Sequence, residues 1–270
     1  MIRAIRSELL KVRTTSLWWL ILIGVVGFTA VAVAFNMLAT YVTLHPDSVG
    51  PRGGGTGEGL LNAVTGLYTS GQYAGTLLAM VFGILIFTNE FFHQTATATF
   101  LATPKRTLVI GAKLIVAVIV GVVIALITTV LAVASGAVFL STQHADLYLG
   151  NADVLKSIGL NWLAFAIWAV FGLGIGALLR SQILSVILGL VAMLIGQTVV
   201  QVVLALLAQY FHESWLMKIA YYLPSSASSI MTSPQGGNGF QWWAGALILL
   251  GYGAVAAVIG TVITRRRDIS

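Results

Sequence analysis

The sequence predicts an all-α integral membrane protein with six transmembrane helices and both termini in the cytoplasm. Three observations predict it: the composition, the spacing of the ionisable residues, and the distribution of Lys and Arg. Of 270 residues, 58% are hydrophobic and 8% are charged, and the mean hydropathy is +0.96. A soluble domain carries about 25% charged residues, so this chain has too few to solvate a globule. The absence of cysteine removes disulfide frameworks and thiolate metal sites, and assigns no compartment.

Gaps between ionisable residues define the spans. No charge or histidine falls between Arg13 and His45, Glu58 and Glu90, Lys113 and His144, Lys156 and Arg180, or Arg180 and His212. Each gap exceeds the ~20 residues that cross ~30 Å of hydrocarbon as a helix. The gap from Lys218 to Arg265 is too long for one helix. Its first half holds Pro224, a Ser-rich run and Gly236-Gly237-Asn238-Gly239, so only the stretch from Trp242 to Ile263 is expected to cross. The expected spans are about 17–41, 71–88, 107–138, 156–179, 183–208 and 242–263, within one membrane domain 17–263. An external re-entrant loop covers about 211–240, and a basic tail about 264–270. Backbone groups in lipid need internal partners, and no alternating β pattern competes with helices.

Orientation follows from the cations. With the N-terminus inside, Arg3, Arg6, Lys11, Arg13, Lys105, Arg106, Lys113, Arg180, Arg265, Arg266 and Arg267 are cytoplasmic. Only Arg52, Lys156 and Lys218 are external. This asymmetry sets the topology, and it accounts for the basic pI without nucleic acid as a partner. Trp18-Trp19 and Trp242-Trp243 then mark opposite interfaces. The first apolar run is about twice the length of a signal-peptide core, so it is read as a retained span. Before it, residues 1–16 read as an amphipathic surface helix. Ile2, Ile5, Leu9 and Val12 form an apolar stripe, while Arg3, Arg6 and Lys11 face the lipid headgroups.

Catalytic signatures are missing. His45, His93, His144 and His212 sit singly in four different loops, with no H-E-x-x-H pair and no G-x-S-G. "GGGTGEG" from Gly53 to Gly59 lacks the G-K-[ST] ending of a phosphate loop and reads as a flexible external loop. With no Walker A motif, the chain is expected to be no enzyme and to bind no cofactor or metal. Ion-driven carriers place carboxylates or histidines inside their spans, and these six are expected to lack them. Four amides stand out instead: Gln197 and Gln201 on one face of the fifth span, Asn161 in the fourth and Gln72 in the second. They either hydrogen-bond between helices or line a path. Gly172-x-x-x-Gly176 permits close helix contact, more often within a chain than between subunits.

The segment "NEFFHQTATATFLATPKRTLVIGAK" from Asn89 to Lys113 separates the second and third spans. Asn89 can cap a helix whose first turn holds Glu90. Phe92, Ala96 and Phe100 repeat at i, i+4 and i+8, and Pro104 ends the helix. A short amphipathic helix over about 89–103 is expected, lying parallel to the membrane.

These residues resemble the permease subunits of ABC-2-type transporters, especially actinobacterial ones. That family carries E-[YF]-R-x-G-T…T-x-x-L-x-x-P-x-R…A-K between its second and third spans. Glu90, Phe91, Thr95, Thr99, Pro104, Arg106, Ala112 and Lys113 match, whereas Phe92 and Gln94 stand where the family often has Arg and Gly. "RSELLKVRTTSLWW" from Arg6 to Trp19 resembles the family's N-terminal elbow, and "YYLPSSASSIM" from Tyr221 to Met231 its last external loop. The ending Arg265-Arg266-Arg267-Asp268 is similar too. The resemblance implies a permease of a bacterial inner membrane, pairing with a second permease copy and with two copies of a cytoplasmic ATPase that binds ATP and Mg. It makes 89–103 a coupling helix, with Glu90, Phe91, Phe92, Thr95, Ala96, Thr99, Phe100, Pro104 and Arg106 on the ATPase. It also implies a path lined by the second and fifth spans, holding Gln72, Thr76, Met80, Met193, Gln197 and Gln201. The resemblance implies export; the alternative is a stand-alone six-helix carrier or channel.

Overall fold

The computed structural model describes residues 1–15, 17–45, 57–95, 101, 106–179, 181–213, 215–233 and 241–266. Among them there is no strand. Six helices are long and apolar enough to cross a membrane: Trp18–Leu44, Gly59–Phe92, Thr107–Thr142, Ala152–Leu179, Gln182–Phe211 and Trp242–Ile259.

The elements are α1 (Ile2–Thr14), α2 (Leu17–Leu44), α3 (Gly57–Tyr68), α4 (Gln72–Phe92), α5 (Arg106–Thr142) and α6 (Ala152–Leu179). They continue as α7 (Gln182–Val191), a π-helical turn (Ala192–Gly196), α8 (Gln197–Phe211) and α9 (Leu216–Ile219). A 3₁₀ turn (Ala220–Tyr222), α10 (Pro224–Thr232) and α11 (Trp242–Arg266) complete the chain. Three features differ from expectation. Gly57–Gly59, expected in a flexible loop, open α3, which is broken from α4 at Thr69–Gly71. The expected loop 211–240 contains α10, started by Pro224, whose missing N–H costs nothing at a first helical position. The fifth span is interrupted by the π turn.

Helix α6 is the axis. Asn151 caps it, its Oδ1 accepting the backbone N–H of Asp153 at 2.8 Å, with Asp153 suited to the helix's positive end. It packs most extensively on α4, then on α11 and α5. Small residues set the approach to α4. A methyl group on Gly83 would overlap the carbonyl oxygen of Ala169, and one on Gly172 the carbonyl of Met80. Gly176 lies against the Ile84 backbone, so the Gly172-x-x-x-Gly176 contact is within the chain. Without a hydrophobic force between helices in lipid, such backbone proximity supplies the dispersion that holds them. Around this pair the core forms a middle layer (Phe82, Phe87, Val116, Phe165, Leu173), a lateral one (Met80, Ile84, Trp168, Met193, Met231) and one at the end remote from the N-terminus (Val64, Leu67, Tyr68, Leu140, Val154). At that far end Tyr68 donates a 2.7 Å hydrogen bond to the Leu147 carbonyl, and Lys156 lies 4.6 Å from the Trp242 ring.

The packing makes a sharp prediction within one helix. Gly172→Ala should cost about 1–3 kcal/mol or more, because backbone must move. Gly159→Ala, where the added methyl meets nothing within 4 Å, should be neutral or slightly stabilising. Thermal unfolding of the two purified variants in detergent measures the contrast.

Candidate functional site: a buried charge square and a polar groove

At the end of the bundle that carries the N-terminus, four charges from three helices close into a square. Lys11 lies 2.6 Å from Glu8 and 2.6 Å from Glu90; Lys113 lies 2.7 Å from Glu8 and 3.0 Å from Glu90. Lys113 also donates to the Ile86 carbonyl at 3.0 Å. Glu8 divides its two oxygens between the two lysines, so signs alternate around the ring and the net charge is zero. Lys113 is 2% exposed and Glu8 4%, while the Lys11 side chain keeps 43% of its surface. Isolated charges at such burial would cost several kcal/mol each, and the reciprocal pairing makes them tenable. Burial alone lowers the pKa of Lys11, but the hydrogen bonds and charges of Glu8 and Glu90 outweigh it and hold the ammonium above the usual lysine range. Its contribution is fully present below an unfolded value of about 10.4 and is lost as pH rises through the higher folded value.

The square corrects three expectations. Lys11 turns inward rather than to headgroups. The buried face of α1 is Ile5, Glu8 and Val12, whereas Ile2 and Leu9 of the expected stripe are exposed. Glu90 lies inside the apolar span Gly59–Phe92, so that span does hold a carboxylate, and it meets Lys113 of Thr107–Thr142.

The segment after the second span also departs from expectation. Asn89 and Glu90 close α4 instead of opening a new helix. Gln94 adopts a left-handed conformation at φ 56°, the Thr95 N–H donates to the Glu90 carbonyl at 2.8 Å, and the Gln94 N–H to the Phe91 carbonyl at 3.2 Å. These are the paired bonds of a Schellman helix end. A helical face running from Phe92 to Ala96 is therefore broken at Gln94. Of the residues expected on an ATPase, Glu90 is consumed by the square. Phe91 stacks on Phe87 with centroids 5.4 Å apart, and Phe92 and Thr95 are exposed. Arg106 opens α5; Ala96, Thr99, Phe100 and Pro104 lie outside the described residues. His144 and His212 terminate α5 and α8 in the same left-handed conformation, so these histidines serve as helix stops.

Toward the far end, a groove of about 500 Å³ runs between α2, the α3–α4 break, α10 and Trp168. A second, of about 280 Å³, lies between α4, α6, the π turn and the start of α10. Trp168, Met193 and Ser225 line both. Of the residues expected on a path, Gln72 and Thr76 line the first, Met80 and Gln197 the second, and Met193 both; Gln201 is half-buried and lines neither. The amides also bond between helices, as their other reading holds. Gln72 donates to Ser228 Oγ at 3.3 Å and accepts from Thr232 Oγ1 at 3.1 Å, and Gln197 donates to Ser226 Oγ at 3.2 Å. They clamp α10 to α4 and α8. Asn161 is 2% exposed and its Oδ1 has no hydrogen-bond partner among the described residues.

Sequence patterns missed Glu8 and Trp168 altogether and gave Lys11 and Lys113 no partner. A signal for the square existed: Glu8 and Glu90 are carboxylates beside apolar spans in a chain with 8 acidic residues, and such groups need a cation at hand.

Lys113→Met should cost about 3–5 kcal/mol, because it strands two buried carboxylates on one half-exposed lysine. Adding Glu8→Met should recover much of that loss by restoring neutrality; thermal unfolding of the single and double variants reads both. Gln94→Gly should gain about 0.5–1 kcal/mol, the left-handed penalty less the entropy of glycine, in the same assay.

No protein-family model matches the chain, and no curated protein matches it.

Proposed function

We propose that the chain is the membrane-spanning permease of an ATP-driven, ABC-2-type exporter, working as a dimer with a separately encoded ATPase in a bacterial inner membrane. The observation that carries this reading is the charge square. It joins α1 to the end of α4 and the start of α5, making a stiff junction beside the segment that would meet the ATPase. A force applied after Phe92 would reach the interior through ion pairs rather than through a loose loop. On this reading the excess of Lys and Arg sets the square's end in the cytoplasm. Helix α1, with Arg3, Arg6 and Arg13 exposed, acts as an interfacial elbow. The two grooves form part of the substrate path, since five of the residues expected there line them.

One observation favours a stand-alone, proton-coupled carrier: Glu90 and Lys113 are ionisable groups inside spans, where relays are built. Against it, both are held by opposite charges within two helical turns of one end of those spans, beside a separate cavity of about 330 Å³ and not in the two grooves.

Affinity capture of a co-expressed candidate ATPase tests the proposal. The wild-type permease should retain the ATPase and change its hydrolysis rate. Phe92→Asp, at an exposed aromatic beyond the square, should weaken capture about tenfold or more, from roughly 1.5–3 kcal/mol of lost burial. Absence of capture, with transport abolished by a protonophore in ATP-replete vesicles, would establish the carrier instead.

A further inference from the structure

We propose that the two adjoining grooves bind a neutral, hydroxyl-bearing amphiphile, a sugar or polyol carried on an apolar body, and discriminate against charged ones. The proposal rests on the permease reading for its place in transport, and on the groove walls for its chemistry.

Neither groove is lined by an Asp, Glu, Lys, Arg or His among the described residues. A buried ionic headgroup would therefore find no counter-charge. The walls are mostly apolar, from Phe28, Val31, Met80, Phe171 and Ile175, which suits a hydrocarbon body.

The polar atoms are more selective. Most wall hydroxyls spend their protons on backbone carbonyls. Thr69 donates to Thr65 at 2.8 Å, Ser70 to Leu67 at 2.6 Å, Thr76 to Gln72 at 2.7 Å and Ser229 to Ser226 at 2.9 Å. What they have left is acceptor capacity. One buried donor has no partner of any kind among the described residues: the Nε1–H of Trp168, a residue 2% exposed that lines both grooves. A buried indole N–H normally has one. A ligand hydroxyl is complementary to both, donating to the wall oxygens while accepting from Trp168. A carboxylate or phosphate would meet no cation and mostly acceptors, an ether or ester would leave those acceptors unused, and an ammonium would find no acid.

The partition between the grooves can yield. Met193, whose thioether side chain is flexible, lies beside Trp168 in the π turn, a helix defect often found at functional sites. Displacing it would merge the grooves and open the indole N–H to a ligand.

The test uses the full-length protein in lipid nanodiscs without an ATPase, so its outcome is independent of whether an ATPase partner exists. A diazirine-bearing octyl glucoside is photocrosslinked and the labelled peptides are mapped. Unlabelled octyl glucoside, octyl phosphate and octyltrimethylammonium then compete. Label on peptides holding Trp168 or Met193 is expected, displaced by the glucoside at concentrations about tenfold lower than by either ion. Trp168→Phe should raise the glucoside's competing concentration about threefold to tenfold, the value of one neutral hydrogen bond, and leave that of the phosphate unchanged. Equal competition by the ions, an unchanged glucoside value in Trp168→Phe, or label confined to the outer faces would overturn the proposal. Should Trp168→Phe fail to fold, Met193→Trp, which fills the partition, must abolish the displaceable label; its persistence would overturn the proposal equally.

Discussion

Two carboxylates and two ammonium groups sharing one buried site constrain everything at the N-terminal end of this protein. Glu8, Lys11, Glu90 and Lys113 come from three helices, and each carboxylate touches both cations. Removal from water penalises every member, so each is tolerable only beside an opposite charge. That mutual dependence fixes three things together: the rotation of α1 about its axis, the depth at which α4 ends, and the register at which α5 begins. A hydrophobic seam would hold the same helices with greater tolerance, because apolar contact is non-directional. The ring of ion pairs admits one arrangement.

The far end is held by a different device. There Gln72, just after the α3–α4 break, and Gln197, just after the π turn, grip the serines of α10, a short helix buried against α11 and α6. Between the two ends, α4 and α6 approach backbone to backbone through Gly83 and Gly172. The result is a rigid central pair whose α4 is tied by charge at one end and by an amide at the other. Around it stand more exposed helices: α2 and the α7–α8 span each bury only a small part of their apolar surface. Helix α8 packs mainly on α9, the π turn and Ala220–Tyr222. Motion is cheapest where contacts are fewest, which places it in α8 and at the π turn rather than in the central pair.

The helical class and the number of spans were legible because they depend on single-residue properties. A run free of charge for more than ~20 residues has one stable solution in lipid. The close approach at Gly172 was legible for a related reason, since small residues four apart share a face. The square was not, because its members are 3, 79 and 105 positions apart and no local period links them. The stripe on α1 misled in an instructive way. Ile5 and Val12 belong to the buried face, but Glu8 lies between them, and a scale that treats every carboxylate as outward-facing discards the one residue that sets the helix's orientation. Trp168 was invisible for the opposite reason: nothing in an apolar helix distinguishes an indole with a partner from one without.

The end of α4 connects the local chemistry of the chain with the square. A helix that ran on past Phe92 would carry the segment away along the α4 axis. The Schellman bonds at Glu90 and Phe91 stop it, with Gln94 accepting the left-handed conformation that glycine adopts without strain. Glu90 is therefore used twice. Its side chain closes the ion-pair ring, and its carbonyl receives the Thr95 N–H that turns the chain. Neutralising the side chain would leave the backbone bond available, and relieving Gln94 would leave the ring untouched. The position of α4's end and the direction in which the chain leaves it are thus separately adjustable, although one residue serves both.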